Sequence, residues 1–415
     1  MDRAFCGNFY YNGKFDYLEV TVKDGVIESI KKDAGNIARS YLPGAVLPAA
    51  TDIHVHFRTP GETDKEDFST GSLSAIFGGT TLVMDMPNNI IPIKDYNAFS
   101  DKLGVINGTS YSDFALYSME TGSNSLIVDS RSIGLKVYLG GSTNAAGTMA
   151  IPDQEAEMIN EKGFTVIFHG ELEECLRKHQ SETKNLREHN LSRPIECELA
   201  AAGYVGSLNL KSKIMAHVSS PEVSGDFLRE VTPHHLLLND EMPLGSIGKV
   251  NPPLRDRNTQ ERLLYAYISG QFDILSSDHA PHTEKDKAEF EYAKSGIIGV
   301  ETRIPLMLAL VKKKILFLDV LYKTGIERPP SIFGIRKGKI EVGYDADFMC
   351  VDFTNEKKVN EDRLHSKLPR SPFNGMDAIF PSHVVMRGEV VIDNYEEISD
   401  PLGRFVPKGY YDQKL

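Results

Sequence analysis

The chain has 415 residues, of which 25% are charged and 41% hydrophobic, a composition typical of a folded globular protein. Its net charge of −12 argues against a surface that binds nucleic acid or an anionic membrane. No apolar run approaches the length of a membrane span, and the N-terminus lacks the apolar core of a secretion signal. Four cysteines without CxxC spacing predict neither a disulfide framework nor a zinc knuckle. We therefore expect a reduced, cytoplasmic protein.

Short segments with alternating polarity lie near both ends of the chain. Residues 17–22 and 25–30 flank a Lys-Asp-Gly turn, which predicts a β-hairpin. Residues 346–352 and 383–391 have the pattern of strands as well.

The residues between these outer regions alternate short apolar strands with helical stretches. Strands are predicted at 81–85, 134–138, 165–169, 213–217 and 272–278. This alternation over nearly 300 residues favours an α/β fold, a (β/α)8 barrel of the TIM type, over separate domains. The active site of such a barrel lies at the carboxyl ends of its strands. Polar residues stand at or near those ends, namely Asp85, Lys136, His169, His217 and Asp278.

The segment DIHVHFR at 52–58 carries a His54-x-His56 pair. The apolar run 45–50 before it predicts a buried parallel strand. Side chains at i and i+2 point to the same side of a strand, so both imidazoles can reach one metal ion. Two histidines on a strand can also be simply packed or solvated, and the pair alone does not decide between these readings.

The candidate metal ligands are more numerous than one tetrahedral zinc requires, which predicts two metal ions with a bridging ligand. They are His54, His56, Lys136, His169, His217 and Asp278. A charged lysine would be repelled by cations, whereas carbamylation by carbon dioxide would convert Lys136 into an anionic bridge. The alternatives are a lysine that reaches solvent along the barrel wall and histidines that pack in the core.

Two metals with a bridging water supply a nucleophile at neutral pH. Asp278 could then carry the proton to a leaving nitrogen in the hydrolysis of an amide.

Four motifs together resemble the dihydroorotases of the amidohydrolase superfamily. They are DIHVHFRTPG at 52–61 with KEDF at 65–68, DMPN at 85–88, NPPLR at 251–255 and SDHAPHT at 277–283. The tail at 338–347 is similar to the return of that superfamily into a small β domain. The resemblance implies a composite β-sandwich domain from residues 1–47 and 341–415, and a hydrolase barrel from residues 48–340.

The resemblance also implies roles for single residues. His54, His56 and Asp278 would bind one zinc, His169 and His217 the other, and carboxylated Lys136 would bridge them. Substrate contacts are expected from His56, Arg58, Asn88, Asn251, His282, Ser295 and Gly296. Arg58 follows His56 by two residues and would lie on the same face if the extended geometry persists. Ser295 stands where many relatives have an aromatic residue or proline, and neither His234 nor His235 can be assigned.

The implied reaction is the reversible cyclisation of N-carbamoyl-L-aspartate to L-dihydroorotate, the third step of de novo pyrimidine synthesis. The partner is then a small-molecule substrate, with association with another pyrimidine-pathway enzyme as a further option. Two alternatives stay open. One is another cyclic amidase acting on hydantoin, dihydropyrimidine or allantoin. The other is a non-catalytic scaffold, which would be expected to have lost metal ligands.

Overall fold

A computed structural model describes residues 3–32, 40–145, 147 and 150–412. The N-terminal strands are β1 (Arg3–Tyr11), β2 (Lys14–Lys23), β3 (Val26–Lys31) and β4 (Ser40–Pro48). Strands β2 and β3 are antiparallel and meet at Asp24 and Gly25, which have φ values of 51° and 82°. Two positive φ values are typical of the turn that joins two-residue hairpins, so the predicted hairpin is confirmed.

Short strands that pair in parallel form the centre of the molecule. They are β5 (Ala50–Val55), β6 (Thr80–Asp85), β7 (Asp113–Leu116), β8 (Ser118–Met119), β9 (Leu135–Tyr138), β10 (Val166–His169), β11 (Lys213–Met215), β12 (Leu228–Val231) and β13 (Ile274–Leu275). Only Tyr117 separates β7 from β8, so these two segments together form one strand of the barrel. A parallel bridge between Val55 and His279 closes the ring. The predicted (β/α)8 barrel is confirmed.

Two details of the predicted strands are wrong. The apolar run 45–50 is not one strand, because β4 ends at Pro48 in the N-terminal sheet and the barrel begins at Ala50. Strands β7 and β12 were not predicted at all. Each has only four residues, and the sequence Leu-Arg-Glu-Val of β12 lacks the apolar run expected of a barrel strand.

Helices cover the outside of the barrel. They are α1 (Phe68–Phe77), α2 (Tyr96–Ile106), α3 (Asp153–Glu161), α4 (Glu173–His179), α5 (Leu186–Ser192), α6 (Ile195–Ser207), α7 (Pro233–Leu237), α8 (Arg257–Ile268), α9 (Arg303–Lys312), α10 (Leu318–Leu321) and α11 (Arg328–Ser331). Asp67, Asp95 and Asp256 begin three of them as N-caps that accept a backbone hydrogen bond. No helix in the described part of the chain is long and apolar enough to cross a membrane.

The C-terminal strands return to the N-terminal ones. They are β14 (Phe348–Val351), β15 (Lys357–Lys358), β16 (Asp377–Ala378), β17 (His383–Met386), β18 (Glu389–Asp393) and β19 (Glu396–Glu397). All but β15 and β16 join one eight-stranded mixed sheet in the order β19-β18-β17-β14-β4-β1-β2-β3. Both ends of the chain therefore build one β unit. The exact limits of this domain stay a prediction, and its residues 1, 2, 33–39 and 413–415 lie outside the described ranges.

A buried ionic cluster joins this β unit to the barrel. Lys337 Nζ lies 2.9 Å from an oxygen of Asp113 in β7. It also lies 3.1 Å and 2.5 Å from oxygens of Asp345 and Asp347, which precede β14. Burial alone would lower the pKa of Lys337, but the three carboxylates raise it well above its usual value. The lysine is therefore charged and compensates carboxylates from both parts of the molecule.

The prediction of no disulfide is wrong for one pair of cysteines. Cys175 in α4 and Cys197 in α6 are bonded, 22 residues apart in the sequence. The spacing gave no indication of this pair because two neighbouring helices, rather than one short motif, bring the thiols together. Cys6 and Cys350 are free and buried in β1 and β14.

Candidate metal centre and substrate cavity

A cavity opens at the carboxyl ends of the barrel strands. Its walls contain all six predicted metal ligands and five predicted substrate contacts besides the shared His56. The lining residues are His54, His56, Arg58, Asn88, Lys136, Tyr138, Ser142, Thr143, His169, His217, Asn251, Asp278, Ala280, Ser295 and Gly296. His282 is the predicted site residue that does not line this cavity. Residues that are far apart in the sequence thus meet where a barrel enzyme has its active site.

One group of potential ligands consists of His54, His56 and Asp278. One ligand atom from each lies within 4.8 Å of the others. Asp278 Oδ1 is 3.3 Å from His54 Nε2 and 3.1 Å from His56 Nε2. The other ring nitrogens are occupied, since His54 Nδ1 lies 2.8 Å from Glu230 Oε1 and His56 Nδ1 lies 2.7 Å from Asn88 Oδ1. Donation to these oxygens keeps both Nε2 lone pairs directed at the cavity.

A second group is formed by His169 and His217. His169 Nδ1 lies 2.9 Å from His217 Nε2, so these nitrogens face each other across the same space. His169 Nε2 donates to Glu171 Oε2 at 3.1 Å, and Arg193 Nη2 donates to the same oxygen at 2.6 Å. The hydrogen bond to Glu171 leaves Nδ1 as the cavity-facing nitrogen of His169, where its partner is His217 Nε2.

Lys136 lies in β9, lines the same cavity and is fully buried. Its Nζ has no hydrogen-bond partner among the described residues, and neither has Nδ1 of His217. Burial lowers the pKa of Lys136 to about 8. A buried amine without a partner is costly, so the site fits a lysine that is modified or that serves a bound group.

The protonation states favour cation binding. Burial lowers the pKa of His56 to about 4, and it also lowers those of His169 and His217 below the usual value. Neutral imidazoles have the lone pair that a metal needs. Burial would raise the pKa of Asp278, but the neighbouring histidines outweigh it and hold that pKa well below its usual range. Asp278 is therefore an anion, able to bind a cation or accept a proton.

Arg58 faces the cavity, but its backbone conformation differs from the predicted one. Its φ is +60°, so the extended geometry of β5 does not persist to this residue. The side chain is nevertheless buried in the cavity wall, where Nε donates to Pro281 O at 3.2 Å. Within the described ranges, no carboxylate oxygen lies within 4.0 Å of its guanidinium. The carboxylates of Glu62, Asp85 and Asp278 act on it only from beyond ion-pair distance, and a buried guanidinium without a direct ion pair indicates a site for an anionic ligand.

His282 lies behind Arg58 in a neighbouring cavity. Its Nε2 is 3.0 Å from Ser295 O and 3.3 Å from Arg58 Nη2. Burial lowers its pKa strongly, so the ring is neutral and its single proton is donated to the carbonyl oxygen. The two groups are then in contact without a hydrogen bond, because His282 Nε2 and Arg58 Nη2 both carry hydrogens. Arg58 Nη2 therefore remains available to a ligand.

Two of the other predicted substrate contacts, Asn88 and Asn251, already use some of their hydrogen-bonding atoms within the protein. Asn88 accepts from His56 and donates to Thr143 O at 2.9 Å, which leaves one amide hydrogen. Asn251 Oδ1 accepts from His189 Nε2 at 2.9 Å. At Gly296, φ is +145° and an added Cβ would come within 2.4 Å of Ala280 O. Only glycine fits this part of the wall.

Sequence reasoning missed the carboxylates that orient the histidines, Glu230 and Glu171. Glu171 could have been found, because it follows His169 by two residues. Glu230 lies in β12, the strand that the polarity pattern did not reveal.

Of the two histidines left unassigned, His235 contacts Thr232 Oγ1 and Pro252 O. Both ring nitrogens of His234 are buried without a partner in the described part of the chain.

Three residues of the site have a left-handed backbone. They are Arg58, His217 and Asp278, with φ values of 60°, 38° and 48°. This conformation costs a residue other than glycine of order 1–3 kcal/mol, and it persists where the surroundings enforce it. Such clusters of strain are typical of functional sites.

The first prediction concerns the orienting carboxylate Glu230. Glu230→Gln keeps the shape but removes the charge that fixes the tautomer of His54. We expect the affinity for zinc, measured by competition with a chromophoric chelator, to fall roughly 10- to 100-fold. Glu198→Gln is the matched control, because Glu198 is equally buried but pairs with Arg255. Equal zinc affinity of Glu230→Gln and the unmodified protein would contradict this role.

Comparisons with known proteins agree with this geometry. The model of the amidohydrolase family matches residues 45–391. A dihydroorotase of Thermoplasma acidophilum is 73% identical over 98% of this chain and 99% of its own length. One of Methanosarcina mazei is 35% identical over 92% of each chain. The solved L-hydantoinase (dihydropyrimidinase) of Arthrobacter aurescens superposes with a TM-score of 0.92, at 26% identity, over 98% of this chain and 100% of its own. The chain therefore belongs to the amidohydrolase family.

Proposed function

We propose that this chain interconverts L-dihydroorotate and N-carbamoyl-L-aspartate at a centre of two divalent metal ions. The names of its relatives support this reaction, since the two relatives described above, each over 30% identical and nearly full length, are dihydroorotases. The solved structure with a TM-score of 0.92 is a hydantoinase, so the fold alone does not select the substrate. The observation that carries the choice is Arg58.

Arg58 distinguishes the carboxylated ring of dihydroorotate from uncharged cyclic amides. Its guanidinium lies in the cavity wall, and no described carboxylate compensates it at ion-pair distance. The cost of burying this charge is recovered when an anion binds. A planar guanidinium can donate two parallel hydrogen bonds to a carboxylate. Hydantoin, dihydropyrimidine and allantoin rings lack this group, so they would leave Arg58 unpaired.

The ligand sets suit two zinc ions bridged by a carboxylated lysine. His54, His56 and Asp278 would hold one, and His169 with His217 the other. Lys136 Nζ would attack carbon dioxide, form an N–C bond and lose a proton, which gives a carbamate that can contact both ions. Imidazole and carboxylate ligands also accept cobalt or manganese. When bound, such ions polarise a carbonyl and lower the pKa of water.

The residues of the chain then bind the substrate and move one proton. Arg58, with the free amide hydrogen of Asn88, holds the carboxylate, and Asn251 and the Ser295-Gly296 segment contact the ring amides. Asp278 accepts a proton from the attacking water as the new C–O bond forms at the ring carbonyl. It returns that proton to the ring nitrogen as the C–N bond breaks. Ring closure follows the same steps in reverse: Asp278 begins ionised, accepts a proton from the attacking nitrogen as the C–N bond forms, and gives it to the departing water as the C–O bond breaks.

The other readings have less support. A non-catalytic scaffold does not need its metal ligands, whereas all six are present in one cavity here. Another cyclic amidase does not need Arg58. We further propose that the protein acts in the cytoplasm on a small-molecule substrate, independently of nucleic acid and membranes. Association with another pyrimidine-pathway enzyme stays a prediction.

The second prediction is a change of substrate preference in Arg58→Ala. Loss of a charge-assisted pair is worth roughly 1.5–3 kcal/mol, so kcat/KM for dihydroorotate should fall by about 10- to 100-fold. Turnover of the uncharged ring dihydrouracil should not fall. Steady-state kinetics on both substrates give the ratio. Arg257→Ala is the control, because Arg257 pairs with Glu241 at the surface. Retention of dihydroorotate turnover by Arg58→Ala would refute the substrate assignment.

The third prediction concerns the pH dependence of lysine carboxylation. Only the neutral amine attacks carbon dioxide, and burial lowers the pKa of Lys136 to about 8. The neutral fraction therefore grows as the pH rises through this value. Protein stripped of metal and carbon dioxide should recover activity when zinc and bicarbonate are added. The initial rate of this reactivation, divided by the concentration of dissolved carbon dioxide, should increase up to about pH 8 and then become constant. Native mass spectrometry should show the added mass of one carbon dioxide. Full recovery in bicarbonate-free buffer would contradict the modification.

A further inference from the structure

Tyr138 lines the cavity, and the reaction described above gives it no role. It is the last residue of β9 and follows Lys136 by two positions. Because alternate side chains of a strand point to the same side, both residues project into the barrel mouth. The Tyr138 side chain is 3% exposed.

The phenol oxygen of Tyr138 has no hydrogen-bond partner in the described ranges. Other buried tyrosines are paired, namely Tyr10 with Asp319, Tyr267 with Thr324 and Tyr411 with Asp345. A buried hydroxyl without a partner costs about 1–3 kcal/mol. A phenylalanine would fill the same space without this cost. The hydroxyl therefore needs a partner that enters the cavity, either a ligand or a water molecule.

The surroundings of the ring indicate which part of a ligand it meets. Its centroid lies 5.4 Å from Lys136 Nζ and 5.9 Å from the centroid of the His169 ring. Tyr138 is thus beside the ligands of the second proposed metal ion. Its phenol also lies within electrostatic range of Asp278 and Arg58, so it borders the part of the cavity in which the ring of a cyclic amide would lie.

We propose that Tyr138 is a catalytic residue whose O–H donates a hydrogen bond to the carbonyl oxygen of the cleaved amide. This rests on the proposed function only in requiring a cyclic amide as substrate. As water adds to the carbonyl carbon, the C=O π pair moves onto the oxygen, and the hydrogen bond stabilises the negative charge. The phenol keeps its proton, so Asp278 alone moves a proton. In ring closure the same donor polarises the carboxyl group that is attacked.

The test is Tyr138→Phe, which keeps the ring and removes the donor. A donor that acts on developing charge contributes to kcat more than to KM. We expect kcat to fall about 100-fold. KM and the zinc content of the purified holoenzyme should stay unchanged. Tyr117→Phe is the control, because Tyr117 is buried in the barrel but its hydroxyl contacts Met84 Sδ at 3.4 Å. It should retain full activity.

Three results would overturn the inference. An unchanged kcat in Tyr138→Phe would mean that the hydroxyl meets only water. A rise in KM alone would make it a binding contact, and a loss of zinc would make it a support of the metal ligands. The unmodified protein is assayed first with dihydroorotate, dihydrouracil and hydantoin. If it cleaves only an uncharged ring, the proposed substrate fails, and the Tyr138→Phe comparison is made with that ring because every cyclic amide has the carbonyl.

Discussion

Burial of several ionisable groups that face one cavity is the constraint on which this site depends. A closed barrel directs the carboxyl ends of all its strands to one mouth, so side chains distant in sequence meet there. The groups that meet are four imidazoles, one amine and one carboxylate, and the amine of Lys136 has no described partner. Such an arrangement is unfavourable in the chain alone. With two cations bound and Lys136 carboxylated, each of these groups would be a metal ligand, and coordination would offset the free energy lost on its burial.

A second layer of residues holds the ligands in place. Glu230 and Glu171 each accept from one ring nitrogen of a histidine and so fix which nitrogen faces the cavity. The left-handed backbone at His217 and Asp278 adds strain that the closed barrel must support. Further away, the cluster around Lys337 joins the barrel to the β unit that both ends of the chain build.

Much of this could be predicted from the sequence, and the exceptions have physical causes. Strands with uninterrupted apolar runs and the positions of the polar residues at their ends were predicted correctly, since one buried strand is a local pattern. Strand β12 was missed because its polar residues are buried by tertiary pairing, and Glu230 was missed with it. The Cys175–Cys197 bond was missed because it depends on the packing of two helices. The left-handed turn at Arg58 was also invisible, although the direction of its side chain was anticipated.

Under the proposed function, the end of β5 and the residues directly after it serve both the metal ions and the substrate. His54 and His56 face the carboxylate of Asp278, while Arg58, on the same short segment, offers a charge to the ligand. A small shift of this segment would therefore disturb both functions together. Asp85 limits such a shift, because it accepts from Phe57 N at 2.7 Å and pairs with buried Lys102.

Anomalous diffraction at the zinc absorption edge, from crystals of an active preparation, tests the central claim most directly. The account predicts two peaks in the cavity, one beside His54, His56 and Asp278 and the other beside His169 and His217. Electron density from Lys136 Nζ should continue to both. A single peak, or an unmodified Lys136 in protein that turns over dihydroorotate, would contradict it.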